Sequence, residues 1–329
     1  MNSKRFALRA LAAFTCTLGL NAFAQTPSPN ALPKGPITLV VPFAAGGATD
    51  IVSRLVAKKV TDKTGVSIVI ENIGGGGGVV GAQKVARAPK DGSVLLMGTV
   101  STHAINPIAR GFSTYHPLRD FTPISLVATV PNVIVLNNNV PAQNLKELIA
   151  LIKPQPGKLS YGSSGVGTPP HLSGELFKSM AGVDIEHVPY KGGGPAMTDL
   201  LSGNIPILFD VLTGAAGHIK SGRVRAIAVT TPQRSPSFPD VPAVAESGLQ
   251  GYETYTWNAI FGPAGLSPAV AASLAAEFQR AVAEPDVQEK FKELSAIPVG
   301  STPEGLNAHV KSELDKWGPV VKAIDLKLE

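Results

Sequence analysis

Cysteine, aromatic residues and charged residues are all scarce in this chain of 329 residues. There is one cysteine, Cys16, so the chain cannot form an internal disulfide bond. Charged residues make up 16% of the sequence, and they are scattered rather than clustered, which argues against a nucleic-acid partner. Hydrophobic residues make up 44%, and there are 34 Gly and 28 Pro. This composition indicates a globular α/β protein with many turns, not a disordered chain.

Metal-ligand and nucleotide-binding motifs are also missing. The six histidines form no H-E-x-x-H pattern, and no G-x-x-x-x-G-K-[ST] sequence occurs. Five consecutive glycines at 74–78, together with Gly81, match G-x-G-x-x-G after a strand. The next acidic residue, Asp91, follows too soon for a dinucleotide-binding fingerprint, so we interpret the run as a turn that opens a helix. The sequence therefore predicts no cofactor and no metal.

No apolar run is long enough to span a bilayer as an anchor. The longest, at 10–20, follows three basic residues and precedes an Ala-x-Ala site that ends at Ala24. We interpret residues 1–24 as a signal peptide that is cleaved on export, which predicts a periplasmic protein. Cleavage removes Cys16, whose neighbours do not have the pattern of a lipidated cysteine. It also lowers the 29 Lys and Arg by three, against 24 Asp and Glu, so the mature chain carries about +2.

From Gly35 onward, strand-like and helix-like segments alternate, a pattern typical of an α/β protein with much parallel sheet. The predicted strands are 37–41, 67–71, 94–97, 124–127, 133–136, 159–162, 185–188, 205–209 and 224–229. The predicted helices are 49–63, 81–88, 145–153, 171–180, 196–201 and 215–221, followed by a helical tail at 268–284, 286–294 and 303–323. Two strand-like segments that end in Pro, 127–131 and 252–263, link two α/β blocks.

The most informative turn joins the first predicted strand to the first predicted helix. It contains Gly46 and Gly47, and none of its side chains is a cation, a catalytic base or a metal ligand. The first N–H groups of a helix have no intrahelical partner and lie at the positive end of the helix dipole. The turn therefore predicts a site that holds a small anion such as a carboxylate rather than reacting with it.

A second glycine-rich loop, at 161–171, also follows a predicted strand and opens a helix, with Thr168 as the helix cap. Its hydroxyl and N–H groups can bind a ligand, or they can simply stabilise the turn. A third interpretation is a secreted serine hydrolase that uses Ser163 or Ser164 with His171. Against it, the sequence around these serines does not satisfy G-x-S-x-G.

Asp210 follows the predicted strand 205–209, at the carboxyl edge where open α/β sheets bind ligands. A third glycine-rich turn, at 188–196, contains Lys191. Three such turns therefore follow strands and open helices, in a chain without a convincing nucleophile, metal set or cofactor motif. This combination favours a binding protein with two lobes that close on a ligand in a polar cleft.

Together these segments resemble the Bug-type solute receptors, the extracytoplasmic binding proteins of tripartite tricarboxylate transporters. The resemblance covers the mature chain in order. It is carried by residues 42–50, 71–78, 91–98, 103–107, 161–168, 171–172, 188–192, 199–203, 239–242 and 246–248.

The resemblance implies a two-lobed type II periplasmic binding protein-like α/β fold with a ligand cleft between the lobes. With the two linking segments, it predicts a discontinuous first lobe of residues 25–128 and 255–329 and a second lobe of 129–254. It implies a monomeric receptor, not an enzyme, that delivers a small organic carboxylate to integral-membrane transporter subunits. A receptor that informs a sensor protein is an alternative with the same sequence pattern.

The resemblance also implies that backbone N–H groups, hydroxyls and bridging waters hold the carboxylate. The expected ligand-binding residues are Phe43, Ala44, Ala45, Gly46, Gly47, Ala48, Thr49, Asp50, Ser101, Thr102, Ser163, Ser164, Gly167, Thr168, His171 and Asp210. Val211 stands where the family often has Asn, so the distal end of the pocket departs from the family pattern. Such a clamp binds any carboxylate in the same way, whatever is attached to it.

Overall fold

The computed structural model describes residues 31–323 and Leu326; the predicted signal peptide at 1–24 lies outside the described residues. The strands are β1 (Ile37–Val41), β2 (Ile68–Asn72), β3 (Val94–Thr99), β4 (Phe121–Leu136), β5 (Ser160–Ser163), β6 (Glu186–Pro189), β7 (Ile207–Val211), β8 (Arg225–Val229), β9 (Tyr255–Pro263) and β10 (Ile297–Pro298). The α-helices are α1 (Ala48–Thr64), α2 (Val79–Ala86), α3 (Asn106–Ala109), α4 (Leu145–Ile152), α5 (Pro169–Ala181), α6 (Gly193–Ser202), α7 (Leu212–Lys220), α8 (Pro268–Ala283), α9 (Pro285–Glu293) and α10 (Pro303–Ala323).

Most of these elements lie within a few residues of their predicted positions. Helix α1 shows why the pattern works: Val52, Val56 and Val60 are buried at helical spacing, and Gly65 ends the helix in the left-handed conformation. A π-helical turn at Ser101–Ile105, which leads into α3, was not predicted from the sequence. None of the helices in the described part of the chain has the length and apolar composition needed to cross a bilayer.

The sheet is parallel at both ends and antiparallel in the middle. Strands pair in the order β2-β1-β3-β9-β4-β7-β5-β6, and β8 and β10 also pair with β4. The β2-β1-β3 and β7-β5-β6 sets are parallel, whereas β9 and β4 run antiparallel to their neighbours. We call the part built on β1, β2, β3 and β9 the first lobe and the part built on β5–β8 the second lobe.

The predicted strands 124–127 and 133–136 are wrong as separate strands, because both belong to β4. This strand pairs with β9 from Phe121 to Pro131 and with β7 and β8 from Asn132 to Leu136. Proline lacks an N–H group and usually marks the edge of a ladder. Here Pro131 lies where the strand leaves one lobe and enters the other, so the chain continues in extended form past it.

Hydrophobic clusters fill both faces of each lobe. One first-lobe cluster includes Val52 of α1 and Phe278 of α8, and another includes Trp257 and Phe261 of β9. In the second lobe, Phe177 and Phe209 belong to one cluster and the remaining face is packed by α6 and α7. The loops at the carboxyl ends of the strands are thereby held in place by rigid elements.

His103 lies inside the aromatic cluster of the first lobe. It is fully buried, and its ring stacks on Phe261 with centroids 3.7 Å apart. Burial lowers its pKa to about 3 from the usual 6.5. Unfolding exposes the ring, so the unfolded chain binds a proton below about pH 6.5 that the folded chain does not.

We therefore expect His103 to destabilise the protein in acid. Between pH 7.5 and pH 5 its contribution should lower the free energy of unfolding by about 2 kcal/mol. His103→Phe should reduce this dependence on pH by that amount, whatever it does to stability at pH 7.5. Urea unfolding at the two pH values measures the difference, and an unchanged dependence in the variant would contradict the assignment.

Candidate ligand-binding site

A narrow cavity lies between the two lobes, where β1, β3, β5 and β7 end. The space within it that is open to the centre of a water molecule is about 30 Å³. The cavity is lined by Phe43, Gly47, Ala48, Thr49, Thr99, Ser101, Ser164, Thr168, Pro169, Pro170, Gly193, Asp210, Val211 and Thr256. None of these side chains is a cation, and Asp210 is the one ionisable group in this lining.

The first-lobe wall of the cavity is the first turn of α1. Gly47 caps the helix in extended conformation and supplies no side-chain hydrogen bond. No residue of the described chain accepts a hydrogen bond from the amides of Ala48, Thr49 or Asp50. Thr49 also presents its hydroxyl, which accepts from Asn258 Nδ2 at 3.4 Å and so keeps its own proton for a ligand. Helix-start amides of this kind bind anions.

Asp50 supports this turn and does not line the cavity. Its Oδ2 accepts hydrogen bonds from the Gly46 amide and from Arg54 Nε, each at 3.0 Å, and its Oδ1 accepts from Asn72 Nδ2 at 3.0 Å. Burial alone would raise the pKa of Asp50, but these donors outweigh it and hold the pKa below its usual value. The carboxylate thus fixes the conformation of the loop before α1.

In the second-lobe loop at 161–168, most polar groups form hydrogen bonds within the second lobe. The Thr168 hydroxyl donates to the Gly165 carbonyl at 2.6 Å and accepts from the His171 amide at 3.4 Å, which confirms Thr168 as the cap of α5. The Gly167 amide donates to His171 Nδ1 at 3.3 Å. Because α5 begins with two prolines, its first two residues have no N–H to offer a ligand. Ser164 is the serine of this loop that reaches the cavity.

The hydrogen bonds of Ser163 do not include the pairing with His171 that the hydrolase alternative predicts. Its Oγ lies 2.6 Å from His187 Nε2 and also accepts from the Gly165 amide. Among the described residues no hydrogen bond joins Ser163 or Ser164 to His171, whose ring stacks on His187 with centroids 4.2 Å apart. Burial is the main cause that lowers the pKa of both histidines, that of His187 to about 3. Burial therefore favours the neutral form of both rings.

Three buried polar atoms in the cavity wall have no partner among the described residues: Thr99 Oγ1, Ser101 Oγ and Asp210 Oδ1. Buried polar groups are almost always paired, so such a cluster indicates that they bind something else. Burial raises the pKa of Asp210 to about 7, and a backbone hydrogen bond from Val211 opposes this only partly. Asp210 is therefore close to half protonated at neutral pH.

The structure brings about half of the expected site residues to the cavity. Those in the lining are Phe43, Gly47, Ala48, Thr49, Ser101, Ser164, Thr168 and Asp210. Those outside it are Ala44, Ala45, Gly46, Asp50, Thr102, Ser163, Gly167 and His171. The Ala44 amide, for example, donates to the Lys191 carbonyl at 2.8 Å, and the Thr102 hydroxyl donates to the Thr99 carbonyl at 3.1 Å.

Five lining residues were not expected from the sequence, namely Thr99, Pro169, Pro170, Gly193 and Thr256, and Val211, expected only as a departure at the distal end of the pocket, lines it too. Thr99 ends β3, so its position at the carboxyl edge of a strand was a usable signal. Gly193 opens α6 after a glycine-rich turn, and that position was a second usable sequence signal. Thr256 lies near the start of β9, and nothing in its local sequence marks it. Within the described residues there is also no cluster of His, Cys, Asp and Glu that could hold a metal ion.

A protein-family model described as "Tripartite tricarboxylate transporter family receptor" matches residues 52–326. The chain belongs to this family. Among curated relatives of this tripartite tricarboxylate transporter family receptor, BugT of Bordetella pertussis is 34% identical over 334 residues, which cover all of both chains. A Pseudomonas sp. (strain P51) protein, named for the tcbD-tcbE intergenic region, is 38% identical over 293 residues. These cover 89% of this chain and 87% of that protein. The Bug-type resemblance is confirmed.

Solved structures confirm the fold class. The periplasmic binding protein BugD is 36% identical, with a TM-score of 0.86 over 90% of this chain and 99% of that one. An R. palustris protein solved with adipate is 36% identical, with a TM-score of 0.85 over 88% and 97% of the two chains. MatC from Rhodopseudomonas palustris, with bound malate, is 32% identical, with a TM-score of 0.83 over 88% and 100%.

Proposed function

We propose that this receptor binds a small organic carboxylate in the cavity and delivers it to integral-membrane subunits of a tripartite tricarboxylate-type transporter. The observation that carries the proposal is the cluster of unpaired donors in the cavity wall: the α1 amides and the hydroxyls of Thr99 and Ser101. Donors without a cation suit an anion that must later be released. Two relatives were solved with adipate and with malate, which supports dicarboxylates as the ligand class.

In the proposed complex, one carboxylate accepts hydrogen bonds from the amides of Ala48 and Thr49. Ser164 closes on it from the second lobe, because it is the serine of the loop at 163–168 that lines the cavity. Asp210 meets the ligand beside Gly193. Each of these groups binds without forming or breaking a covalent bond, in keeping with a receptor rather than an enzyme.

We also retain the predicted lobe boundaries, residues 25–128 with 255–329 and residues 129–254. The change of β4 partners between Pro131 and Asn132 and the start of β9 at Tyr255 support them. The predicted signal peptide, and relatives described as periplasmic, support export to the periplasm, where the proposed receptor acts as a monomer.

The proposal is tested by calorimetry on residues 25–329 that have been unfolded and refolded, which removes any co-purified acid. Malate, adipate and other dicarboxylates form the panel. Binding of at least one acid is expected, and Ser164→Ala should weaken it about 10-fold, the effect of one hydrogen bond to a charged group. Ser202→Ala, which removes an exposed hydroxyl bonded to the Thr198 carbonyl, is the matched control. Failure of every acid to bind would overturn the proposal.

A further inference from the structure

The five-glycine run of the first lobe lies directly against the second lobe. An added Cβ on Gly74 would lie 2.7 Å from the Lys191 carbonyl oxygen, well inside contact distance. That same carbonyl accepts the Ala44 amide at 2.8 Å, so a hydrogen bond holds it across the cleft. The φ angle of Gly74 is not in the left-handed region. Glycine is therefore required there by the approach of the other lobe, not by its own backbone conformation.

Gly77 makes the second such contact. Its added Cβ would collide with the Val166 carbonyl oxygen of the second lobe and would lie 2.8 Å from Asn106 Nδ2. Gly76, next to it, has nearly the same left-handed backbone, φ 57° against 64° for Gly77. Its added Cβ would meet nothing closer than Val79 Cβ at 3.6 Å. The two neighbours thus share the same backbone requirement and differ in their contact with the second lobe.

Asn106 joins the same surface to the ligand loop. Its side chain is fully buried, and Nδ2 donates to the carbonyls of Gly77 at 3.1 Å, Ser101 at 3.0 Å and Gly167 at 3.2 Å. The first two carbonyls belong to the first lobe and the third to the second lobe. Because three acceptors surround the nitrogen, the amide orientation is fixed. Ser101 lines the cavity, and Gly167 lies between the lining residues Ser164 and Thr168.

Residues of both lobes line this narrow cavity, so the lobes must separate to admit a ligand. Separation breaks the contacts of Gly74, Gly77 and Asn106 with the second lobe, and closure restores them. None of these three residues lines the cavity. These residues can therefore affect ligand binding only by changing how stable the closed state is.

We propose that Gly74, Gly77 and Asn106 form a closure seat: a first-lobe surface on which the carbonyls of Lys191, Val166 and Gly167 settle when the receptor closes. The seat requires glycine at 74 and 77 because a larger side chain holds the lobes apart. Asn106 is a positioning residue that links the two walls of the cavity. This proposal deepens the proposed function, since closure serves binding, but the seat is defined without knowing the ligand.

The direct test is a distance between the lobes, measured by spin labels. Residues 25–329 contain no cysteine, so labels can be placed at two exposed positions, Arg87→Cys beside α2 and Thr198→Cys on α6. Gly74→Ala and Gly77→Ala should shift the distance distribution toward the open form. We expect this shift both without ligand and with millimolar malate or adipate. Gly76→Ala has the same kind of backbone strain without the contact and should match the wild type.

The second readout is binding of malate and adipate. A substitution that lowers the closed fraction weakens apparent affinity by that fraction, so Gly74→Ala and Gly77→Ala should bind about 10-fold more weakly than Gly76→Ala. The loss of affinity should arise from faster dissociation of the ligand. Thermal unfolding without ligand should be the same in Gly74→Ala and the wild type. Asn106→Asp, which places an acceptor against three carbonyls, should act in the same direction.

The closure seat would be overturned if the wild type, Gly74→Ala and Gly77→Ala gave identical distance distributions. This holds whether the distributions correspond to the open or the closed form of the receptor. A Gly76→Ala effect as large as that of Gly77→Ala would also overturn the closure seat, because strain alone would then explain both. If the distances respond as expected but no acid of the panel binds, the seat stands and the proposed function fails. The two proposals are therefore separated by the same set of measurements.

Discussion

Replacing Ala48 with proline should weaken carboxylate binding about 10-fold to 100-fold and leave the fold intact. Ala48 is the first residue of α1, and its unpaired N–H is one of the amides in the cavity wall. A hydrogen bond to a charged group contributes about 1.5–3 kcal/mol, which corresponds to that loss. Proline is well tolerated at the first position of a helix, where the N–H has no intrahelical partner.

The chain itself supports this choice, because α8 and α10 begin with Pro268 and Pro303. Gly47, the residue before the new proline, is already extended at φ −83° and ψ 170°, as a residue before proline must be. Calorimetry with malate and adipate measures the effect, and thermal unfolding checks the fold. Ala48→Gly removes the methyl group but keeps the N–H and is the control. An equal loss in both variants would contradict a role for the amide.

Raising the pH from 6 to 8.5 should weaken dicarboxylate binding about 30-fold through Asp210. The neutral form can donate a hydrogen bond to a carboxylate, whereas the ionised form repels it. With a pKa of about 7, the neutral fraction falls from most of the protein to a few per cent over this range. An added Cβ on Gly214 would lie 3.2 Å from Asp210 Oδ2 and 3.3 Å from the Ala48 nitrogen, so this carboxyl group adjoins the proposed anion site.

Asp210→Asn should remove this pH dependence, since its amide donates a hydrogen bond at every pH. Calorimetry at several pH values measures it, with Asp120→Asn, which is not part of the cavity lining, as the control. When no carboxylate ligand is bound, burial makes ionisation of Asp210 unfavourable in the folded protein, which is why its pKa is raised. Stability is therefore lost as the pH rises from about 4 to about 7, and Asp210→Asn should unfold at a higher temperature than the wild type at pH 8. Tighter binding of dicarboxylates by the wild type at high pH would contradict the assignment.

Features decided by local chemistry could be predicted from the sequence. The helix starts at Ala48 and Pro169 follow from caps, prolines and unpaired amides within a few residues. The alternation of strands and helices gave the α/β class for the same reason. The continuous course of β4 through Pro131 could not be predicted, because it depends on pairing with β9, β7 and β8 from distant parts of the chain.

Which polar groups are free for a ligand was equally hidden. Ser163 and Ser164 are neighbours of the same type, yet Ser163 is bonded to His187 and Ser164 reaches the cavity. The Ala44 amide is likewise paired with the Lys191 carbonyl, far along the chain. Local sequence shows how many donors a loop has. Their partners are set by tertiary contacts, and only the donors left over can recognise a ligand.

Strand β4 determines how the two lobes can move. It carries ladder hydrogen bonds into both lobes without an intervening loop, so the lobes are joined by stiff extended backbone rather than by a flexible linker. A closing motion that preserves these ladders would change the twist of the strand gradually over several peptide units. The membrane subunits would thus meet a receptor with a narrow, reproducible range of conformations. On ligand release, the sheet shared by the two lobes would return to its earlier twist.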